Sequence, residues 1–172
     1  FFQTNTAQAE KLFNTALEFA EFNGNETVYD LYSGSGTIPI FISKCVKQIY
    51  GFENVESAIA DAVVNVSLNN VLNFEPILTD LNKSFLPIIE KKNLPKPDVI
   101  IADPPRRGIN PKTVKDILEL MPKKIVYISC NPATQARDTK LLCDGGYKLI
   151  KLRPVDMFPH TYHIENVALL TI

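Results

Sequence analysis

The sequence predicts an α/β fold in which a seven-stranded, mostly parallel sheet carries helices on both faces. Short apolar segments rich in β-branched residues alternate with longer segments whose apolar residues recur every three or four positions. This alternation implies right-handed crossovers that cover both faces of the sheet. A chain of 172 residues with 45% hydrophobic residues is long enough for one sizeable core. We therefore expect residues 1–172 to form one domain.

The first half of the chain begins with a packing helix, which Asn5 or Thr6 can cap. A strand over 27–31 follows, and Gly34-Ser35-Gly36 then leads into a short helix that begins at Thr37. The further elements predicted in this half are a strand over 48–52, a helix over 55–70, a strand over 76–78 and a helix over 85–91.

The second half contains two buried strands that end in chemically distinctive residues. The strand over 98–102 stops at Asp103, and the strand over 124–128 leads directly to Cys130. A helix over 134–143 and strands over 147–152 and 167–172 complete the chain. Because no helix separates the last two strands, we expect one of them to run antiparallel at the edge of the sheet.

Composition excludes several classes of protein. The sequence has neither a long uncharged apolar run nor a basic-then-apolar amino terminus, so no membrane span and no signal peptide is predicted. We expect a soluble, cytoplasmic protein without a membrane partner. Cys45, Cys130 and Cys143 fit no metal-ligand spacing, which argues against a zinc site and a disulfide framework. Because the chain starts at Phe1 and not at Met, we expect a fragment of a longer protein.

The net charge of −1 is unevenly distributed. Residues 1–90 contain four Lys and Arg against eleven Asp and Glu, whereas residues 91–124 contain nine against four. A basic middle segment suggests a face for a polyanion near Arg106 and Arg107. Ordinary solvated charges on helix surfaces are the alternative.

The segment D-L-Y-S-G-S-G-T follows the first strand and precedes a helix. Its glycines allow the backbone to approach a ligand, but the third glycine of a dinucleotide fingerprint is absent, which disfavours a pyrophosphate. Glu53, at the end of the second strand, is placed to accept hydrogen bonds from both hydroxyls of a ribose. Together these features predict an adenosine-bearing cofactor without a phosphate chain, and S-adenosylmethionine fits that description.

The segment D-P-P-R-R-G ends the strand beside the first one, where open parallel sheets bind ligands. Asp103 could bond a ring nitrogen of a planar base, and Arg106 and Arg107 could hold phosphate or serve as surface charges. Cys130 in isolation fits a buried packing residue, as Cys45 and Cys143 do. Its position at a neighbouring strand end makes it a candidate nucleophile.

Five segments, in this order and spacing, resemble the RNA uracil-C5 methyltransferases: F-F-Q-T-N, D-L-Y-S-G-S-G-T, D-P-P-R-R-G, Y-I-S-C-N-P-A-T-Q-A-R-D and V-D-M-F-P-H-T-Y-H-I-E. The resemblance implies a Rossmann-like class I S-adenosylmethionine-dependent methyltransferase fold. It also implies an RNA substrate, with ribosomal RNA favoured over transfer RNA, and a monomer whose amino-terminal RNA-binding domain lies outside this chain. Some relatives carry an iron-sulfur cluster, for which three scattered cysteines do not suffice.

The resemblance also implies residue roles. Cys130 would add to C6 of the uracil, Glu165 would remove the C5 proton from the turn just before the last strand, and Asp103 would hold the ring at N3. The positions matching those that the family uses around S-adenosylmethionine are Gln3, Tyr32, Thr37, Glu53 and Asp103, with Gly34 and Asp80 as neighbours.

Two alternatives remain open at this stage. An Asp-Pro-Pro turn also occurs in methyltransferases that act on exocyclic amines, which need no cysteine nucleophile. The chain could instead be a cofactor-binding module that cannot grip RNA without its RNA-binding domain. A metal site at His160 and His163 is disfavoured, because the segment has the pattern of a loop and no third ligand is near in sequence.

Overall fold

The computed structural model describes residues 6–157, 161 and 164–172. The strands are β1 Thr27–Leu31, β2 Gln48–Glu53, β3 Phe74–Leu78, β4 Val99–Ala102, β5 Lys124–Ser129, β6 Lys148–Val155 and β7 Glu165–Thr171. They form a seven-stranded sheet in the order β3-β2-β1-β4-β5-β7-β6. The pairs along β3-β2-β1-β4-β5 are all parallel, so the predicted α/β architecture is confirmed.

Helices cover both faces of the sheet, as predicted. They are α1 Thr6–Ala20, α2 Thr37–Ile42, α3 Glu56–Leu68, α4 Leu86–Lys92, α5 Pro111–Leu120 and α6 Pro132–Asp144. The first three pack with one set of strand side chains into one apolar cluster, and the last three pack with the opposite set into a second. The strands β1, β4 and β5 are therefore buried on both faces, as expected for parallel strands.

The predicted position of the antiparallel strand is wrong. β7 runs antiparallel to both of its neighbours, but it lies between β5 and β6 and not at the edge. The residues over 166–170 are all buried and apolar except Asn166, which suits an interior strand. β6 exposes Lys148 and Arg153 and takes the edge, where charged side chains also discourage pairing with other chains.

Helix α5 was not predicted, although its signals are present in the sequence. Asn110 caps the helix by accepting a hydrogen bond from the Lys112 N–H at 2.9 Å, and Pro111 occupies the first turn. Val114 and Ile117, three positions apart, face the core. The helix completes the crossover between the parallel strands β4 and β5.

Among the described residues, no helix is both long enough and apolar enough to cross a bilayer.

Candidate functional site

The candidate residues follow one another along a single edge of the sheet. Parallel strands end at the same edge, so β3, β2, β1, β4 and β5 present Asp80, Glu53, the loop over 32–37, Asp103 and Cys130 in that spatial order. β7 runs the other way, and its first residue, Glu165, therefore starts at this edge beside the end of β5. The expectation that Glu165 lies in a turn before the strand is wrong, because Glu165 already pairs with Val155.

The loop after β1 has a backbone shaped by the neighbouring strand. The N–H groups of Tyr32 and Ser33 donate to the Phe52 carbonyl at 2.9 and 3.2 Å, and Gly36 N–H donates to the Ser33 carbonyl at 2.9 Å. Gly34 and Gly36 have φ values of +54° and +83°, which favour glycine. A Cβ on Gly34 would meet no atom within 4 Å, so a ligand can approach this backbone closely.

Glu53 joins this loop to the end of β2. Its carboxylate accepts hydrogen bonds from the N–H groups of Gly34 at 3.0 Å, Asn54 at 2.7 Å and Val55 at 2.9 Å. A carboxylate offers about four acceptor positions, so Glu53 can still accept from a hydroxyl of a ligand. Its three backbone contacts hold the side chain in place before any ligand arrives.

Asp30 is a site residue that the sequence analysis missed. It belongs to the wholly buried strand β1 and is 1% exposed, yet neither carboxyl oxygen has a hydrogen-bond partner among the described residues. Burial, together with the nearby carboxylates of Asp103 and Glu53, raises the pKa of Asp30 well above its ordinary value. A buried carboxyl group in this condition requires a proton or a cationic ligand. In the sequence, Asp30 is visible as the first residue of the D-L-Y-S-G-S-G-T segment, where a charged residue interrupts an apolar strand.

Asp103 and Glu165 form a pair of carboxyl groups at the ends of β4 and β7. Burial raises the pKa of Asp103 to about 7, and the negative charge of Glu165 adds to the shift. Burial likewise raises the pKa of Glu165 to about 7, against an opposing effect of Arg106. Both groups can therefore exchange a proton near neutral pH, which suits acid-base chemistry.

Cys130 lies within electrostatic reach of both carboxyl groups. Burial raises the pKa of its thiol above the ordinary value, and the charges of Glu165 and Asp103 raise it further, while Arg106 opposes them. The structure thus brings Cys130, Asp103 and Glu165 together, with Arg106 beside them. Arg106 is the cation that favours the thiolate, a role that the sequence analysis did not assign to it.

Hydrogen bonds from the first turn of α6 connect the end of β5 to the segment that follows β4. Asn131 Nδ2 and Thr134 Oγ1 both donate to the Arg106 carbonyl, at 3.0 and 3.2 Å. Ser129 Oγ accepts from the Asn131 N–H at 3.1 Å and so shapes the backbone on either side of Cys130. This turn holds the D-P-P-R-R-G segment against the cysteine.

Asp138 fastens the same region from inside the protein. Its Oδ2 accepts hydrogen bonds from the Ile109 N–H at 2.7 Å and the Tyr127 hydroxyl at 2.9 Å, and Arg137 pairs with Oδ1 at 2.7 Å. Arg137 and Asp138 therefore have a structural pairing.

Other predicted residues stand apart from the carboxyl groups and the thiol. The Tyr32 hydroxyl accepts a 3.4 Å hydrogen bond from the Asn110 N–H, and Thr37 is exposed at the start of α2. Asp80 accepts two hydrogen bonds from Asn82, both 2.9 Å long, which lower its pKa. Gln3 lies outside the described residues.

The two remaining cysteines and the two histidines do not contribute to the described site. Cys45 packs against the first apolar cluster and Cys143 against the second, as predicted. His160 and His163 lie outside the described residues. Within the described part of the chain, no group of three ligating side chains is close enough to hold a metal ion.

The fold and the residues at the carboxyl ends of the parallel strands can now be compared with those of known proteins. The structure superposes on a SAM-dependent methyltransferase of Aquifex aeolicus with a TM-score of 0.70 over 100% of both chains, at 16% identity, a likeness that concerns the fold alone. It also matches the Pyrococcus abyssi tRNA (uracil-54, C5)-methyltransferase in complex with S-adenosyl-L-homocysteine, with a TM-score of 0.84 and 39% identity over 99% of this chain and 40% of that one. The fold is the Rossmann-like fold of S-adenosylmethionine-dependent methyltransferases.

Residues 1–172 match the family described as tRNA (uracil-5-)-methyltransferase, and the chain belongs to that family. An RNA methyltransferase of Bacteroides thetaiotaomicron is 51% identical over 172 residues, which are 100% of this chain and 37% of that protein. One of Streptococcus mutans is 46% identical over 170 residues, 99% of this chain and 37% of that protein. The chain thus spans about 37% of the length of these relatives.

Proposed function

We propose that this chain is the catalytic part of an enzyme that transfers a methyl group from S-adenosylmethionine to C5 of a uridine in RNA. The observation that carries the proposal is the convergence of Cys130, Asp103 and Glu165 at the strand ends next to the open Gly34 backbone. A nucleophile, a ring-holding carboxylate and a proton acceptor are the groups that this reaction needs. We further expect a monomer working in the cytoplasm.

The residues at the end of β1 and β2 fit the proposed cofactor. Glu53 would accept hydrogen bonds from its ribose, and the open backbone at Gly34 would lie against it. The cofactor carries an ammonium and a sulfonium group, and the unpartnered carboxyl of Asp30 would supply the negative charge that they require. Tyr32, Thr37 and Asp80 would border the site, together with Gln3. When bound, the cofactor supplies the methyl group as an electrophile.

The reaction begins with activation of the uracil ring, whose C5 is a poor nucleophile. The Cys130 thiolate adds to C6, and the electrons of the C5–C6 double bond move to O4 as an enolate. Asp103 accepts a hydrogen bond from N3–H and holds the ring in place. C5 then attacks the methyl group, whose bond to sulfur breaks, so that neutral S-adenosylhomocysteine leaves.

The second half of the reaction restores the C5–C6 double bond of the uracil ring. Glu165, with a pKa of about 7, removes the proton from C5. The enolate re-forms and expels the Cys130 thiolate from C6 by β-elimination. The products are 5-methyluridine in RNA, S-adenosylhomocysteine and a protonated Glu165, which gives its proton to water.

RNA would reach the site with its uridine flipped out of the surrounding structure, because Asp103, Cys130 and Glu165 are all partly buried. Arg107 is exposed and lines a cavity of about 130 Å³ together with Arg137. Its guanidinium donates to Asn82 Oδ1 at 2.8 Å, which leaves other N–H groups for a phosphate. We expect a backbone phosphate next to the target uridine to bind there.

Nucleoside analysis of the product tests this function. The full-length enzyme, given RNA and S-adenosylmethionine, should produce 5-methyluridine, and Cys130→Ala should abolish it. Cys143→Ala, at a packing cysteine outside the site, is the matched control and should retain activity. A product carrying N-methyl groups that survives Cys130→Ala would establish the exocyclic-amine alternative instead.

Calorimetry separates catalysis from simple cofactor binding. Titration of the isolated chain with S-adenosylmethionine should give binding, and a following titration with RNA tests whether the chain grips RNA on its own. Heat from the cofactor but none from RNA, with turnover by the full-length protein and none by the isolated chain, would support the binding-module alternative.

The RNA substrate is the finer part of the proposal. Ribosomal RNA is the substrate we expect, and transfer RNA is the alternative, since the P. abyssi neighbour is named for uracil-54 of transfer RNA. Mapping 5-methyluridine in both RNAs from cells with and without the gene decides between them.

A further inference from the structure

Gln135 is a buried polar residue in the first turn of α6 that none of the proposed chemical steps uses. Its side chain is 3% exposed. Its amide nitrogen Nε2 donates two hydrogen bonds, to the Tyr127 carbonyl of β5 at 2.9 Å and to the Asn166 carbonyl of β7 at 3.3 Å. Both donors of one side chain are therefore committed to two different strands.

These two carbonyls flank the proposed reacting groups. Tyr127 lies three residues before Cys130 along β5, and Asn166 directly follows Glu165 in β7. The ladder between the strands ends nearby, with Ser129 opposite Asn166. The Gln135 amide thus links the backbone segment that carries the thiol to the one that carries the proton acceptor.

We propose that Gln135 is a positioning residue that sets the distance between Cys130 and Glu165, and so the rate at which the C5 proton is removed. This inference rests on the proposed function. Cys130 has its own support, since the Asn131 N–H donates to Ser129 Oγ on the other side of it and β4 pairs with β5 as far as Tyr127. Glu165 is the first residue of its strand and pairs with Val155 of β6 but with no residue of β5, so loss of the amide displaces mainly the proton acceptor relative to the thiol.

The two steps of the reaction should therefore respond differently. Addition of the Cys130 thiolate to C6 and methyl transfer depend on the cysteine side and should remain close to normal. Proton removal depends on Glu165, and a displacement of about 1 Å can slow a positioned step by up to about a hundredfold. The covalent, methylated RNA adduct should then accumulate, because only β-elimination after proton removal resolves it.

Gln135→Met tests the inference, because methionine nearly preserves the volume and removes both donors. The full-length enzyme is mixed with uridine-containing RNA and labelled S-adenosylmethionine, and samples are run on a denaturing gel. The variant should show about a tenfold to hundredfold lower rate of 5-methyluridine release and a larger fraction of RNA bound covalently to protein. Affinity for S-adenosylmethionine should stay within about twofold, since Gln135 donates to β5 and β7 and not to the ends of β1 and β2 that would hold the ribose and the ammonium group.

Gln48→Met is the matched control. Gln48 lies at the opposite end of the sheet, and its side-chain amide makes a 3.4 Å hydrogen bond to the adjacent Ile49 carbonyl. It should leave both release and adduct fraction unchanged. Gln135→Glu, which keeps the shape and replaces the amide donors with a carboxylate, serves as a second variant if Gln135→Met does not fold, and should accumulate adduct in the same way.

Equal slowing of adduct formation and product release in a folded Gln135 variant would overturn the inference, because a merely structural role affects both. Unchanged release would overturn it as well. Failure of the wild-type enzyme to form any adduct or 5-methyluridine is a different result, since it would contradict the proposed function itself.

Discussion

At the scale of single residues, the strand edge concentrates carboxyl groups in a partly buried environment. Burial raises the pKa values of Asp30, Asp103 and Glu165. The charge of Asp103 raises the pKa of Asp30 further, and the charge of Glu165 raises the pKa of Asp103. Such an arrangement destabilises the unliganded protein, and it suits the proposed binding of a ligand with ammonium and sulfonium groups and the proposed removal of a proton. Two predictions follow directly from these groups.

The first concerns pH. Glu165 must be charged to accept the C5 proton, Asp103 accepts from N3–H more strongly when it is charged, and the pKa of each is about 7. The deprotonated fraction of both increases as pH rises, and the Cys130 thiol, whose pKa is also raised, gains thiolate in the same direction. We expect kcat/KM for RNA to rise between pH 5.5 and 8 in initial-rate measurements. A rate that falls across this range would contradict the assignment of Glu165 as the base.

The second concerns Asp30. Its pKa is raised in the folded protein, so the stability associated with its protonated form is present at low pH and is lost as pH rises. Asp30→Asn removes the buried charge and should raise the melting temperature of the unliganded chain, more at pH 8 than at pH 5. It should weaken S-adenosylmethionine binding by about 2 kcal/mol or more, the usual cost of losing one partner of a buried charge pair.

Asp61→Asn supplies the control for that experiment, because Asp61 is exposed on α3 and carries the same substitution. It should change neither quantity. A loss of stability in Asp30→Asn with unchanged cofactor binding would mean that Asp30 has a structural role.

At the scale of elements, the loop between β1 and α2 contains two glycines with different surroundings. One packs against the core, and the other faces open space. A Cβ on Gly36 would lie 2.7 Å from the ring of Phe74, whereas one on Gly34 would meet nothing within 4 Å. Both glycines have positive φ, so alanine is strained at either position. Gly36→Ala should cost about 1–3 kcal/mol more folding free energy than Gly34→Ala, because it also overpacks the core.

Urea unfolding of the two variants measures this difference, and calorimetry measures the binding that accompanies it. Gly34→Ala should reduce S-adenosylmethionine affinity at a modest cost in stability, since its methyl group points into the space left for the ligand. Equal stability losses, with full cofactor affinity in Gly34→Ala, would place the ligand elsewhere.

The secondary-structure elements also show what local sequence patterns can predict. Strands β1, β4 and β5 were predicted within a residue at each end, because continuous β-branched runs bounded by turn residues are unambiguous. Helix α5 was not predicted, although the cap at Asn110 and the spacing of Val114 and Ile117 are local signals of a helix. The information was local and available.

At the scale of the whole molecule, the insertion of β7 between β5 and β6 could not be predicted in the same way. Pairing between Ser129 and Asn166 joins residues far apart in the chain, and no local pattern encodes it. That pairing is nevertheless what brings Glu165 to Cys130. The motifs supplied the residues that we propose to react, whereas the roles of Asp30, Arg106 and Gln135 emerged from burial, charge and hydrogen bonds in three dimensions.

In the proposed mechanism, Cys130 forms a covalent bond to the uracil before the methyl group is transferred. The most direct measurement uses RNA that carries 5-fluorouridine. Fluorine replaces the C5 proton that Glu165 would remove, so β-elimination cannot follow methyl transfer and the covalent adduct is trapped. After incubation of the full-length enzyme with this RNA and S-adenosylmethionine, digestion and mass spectrometry should locate a methylated fluorouridine adduct on the peptide containing Cys130. The absence of an adduct, or an adduct that persists in Cys130→Ala, would contradict the claim.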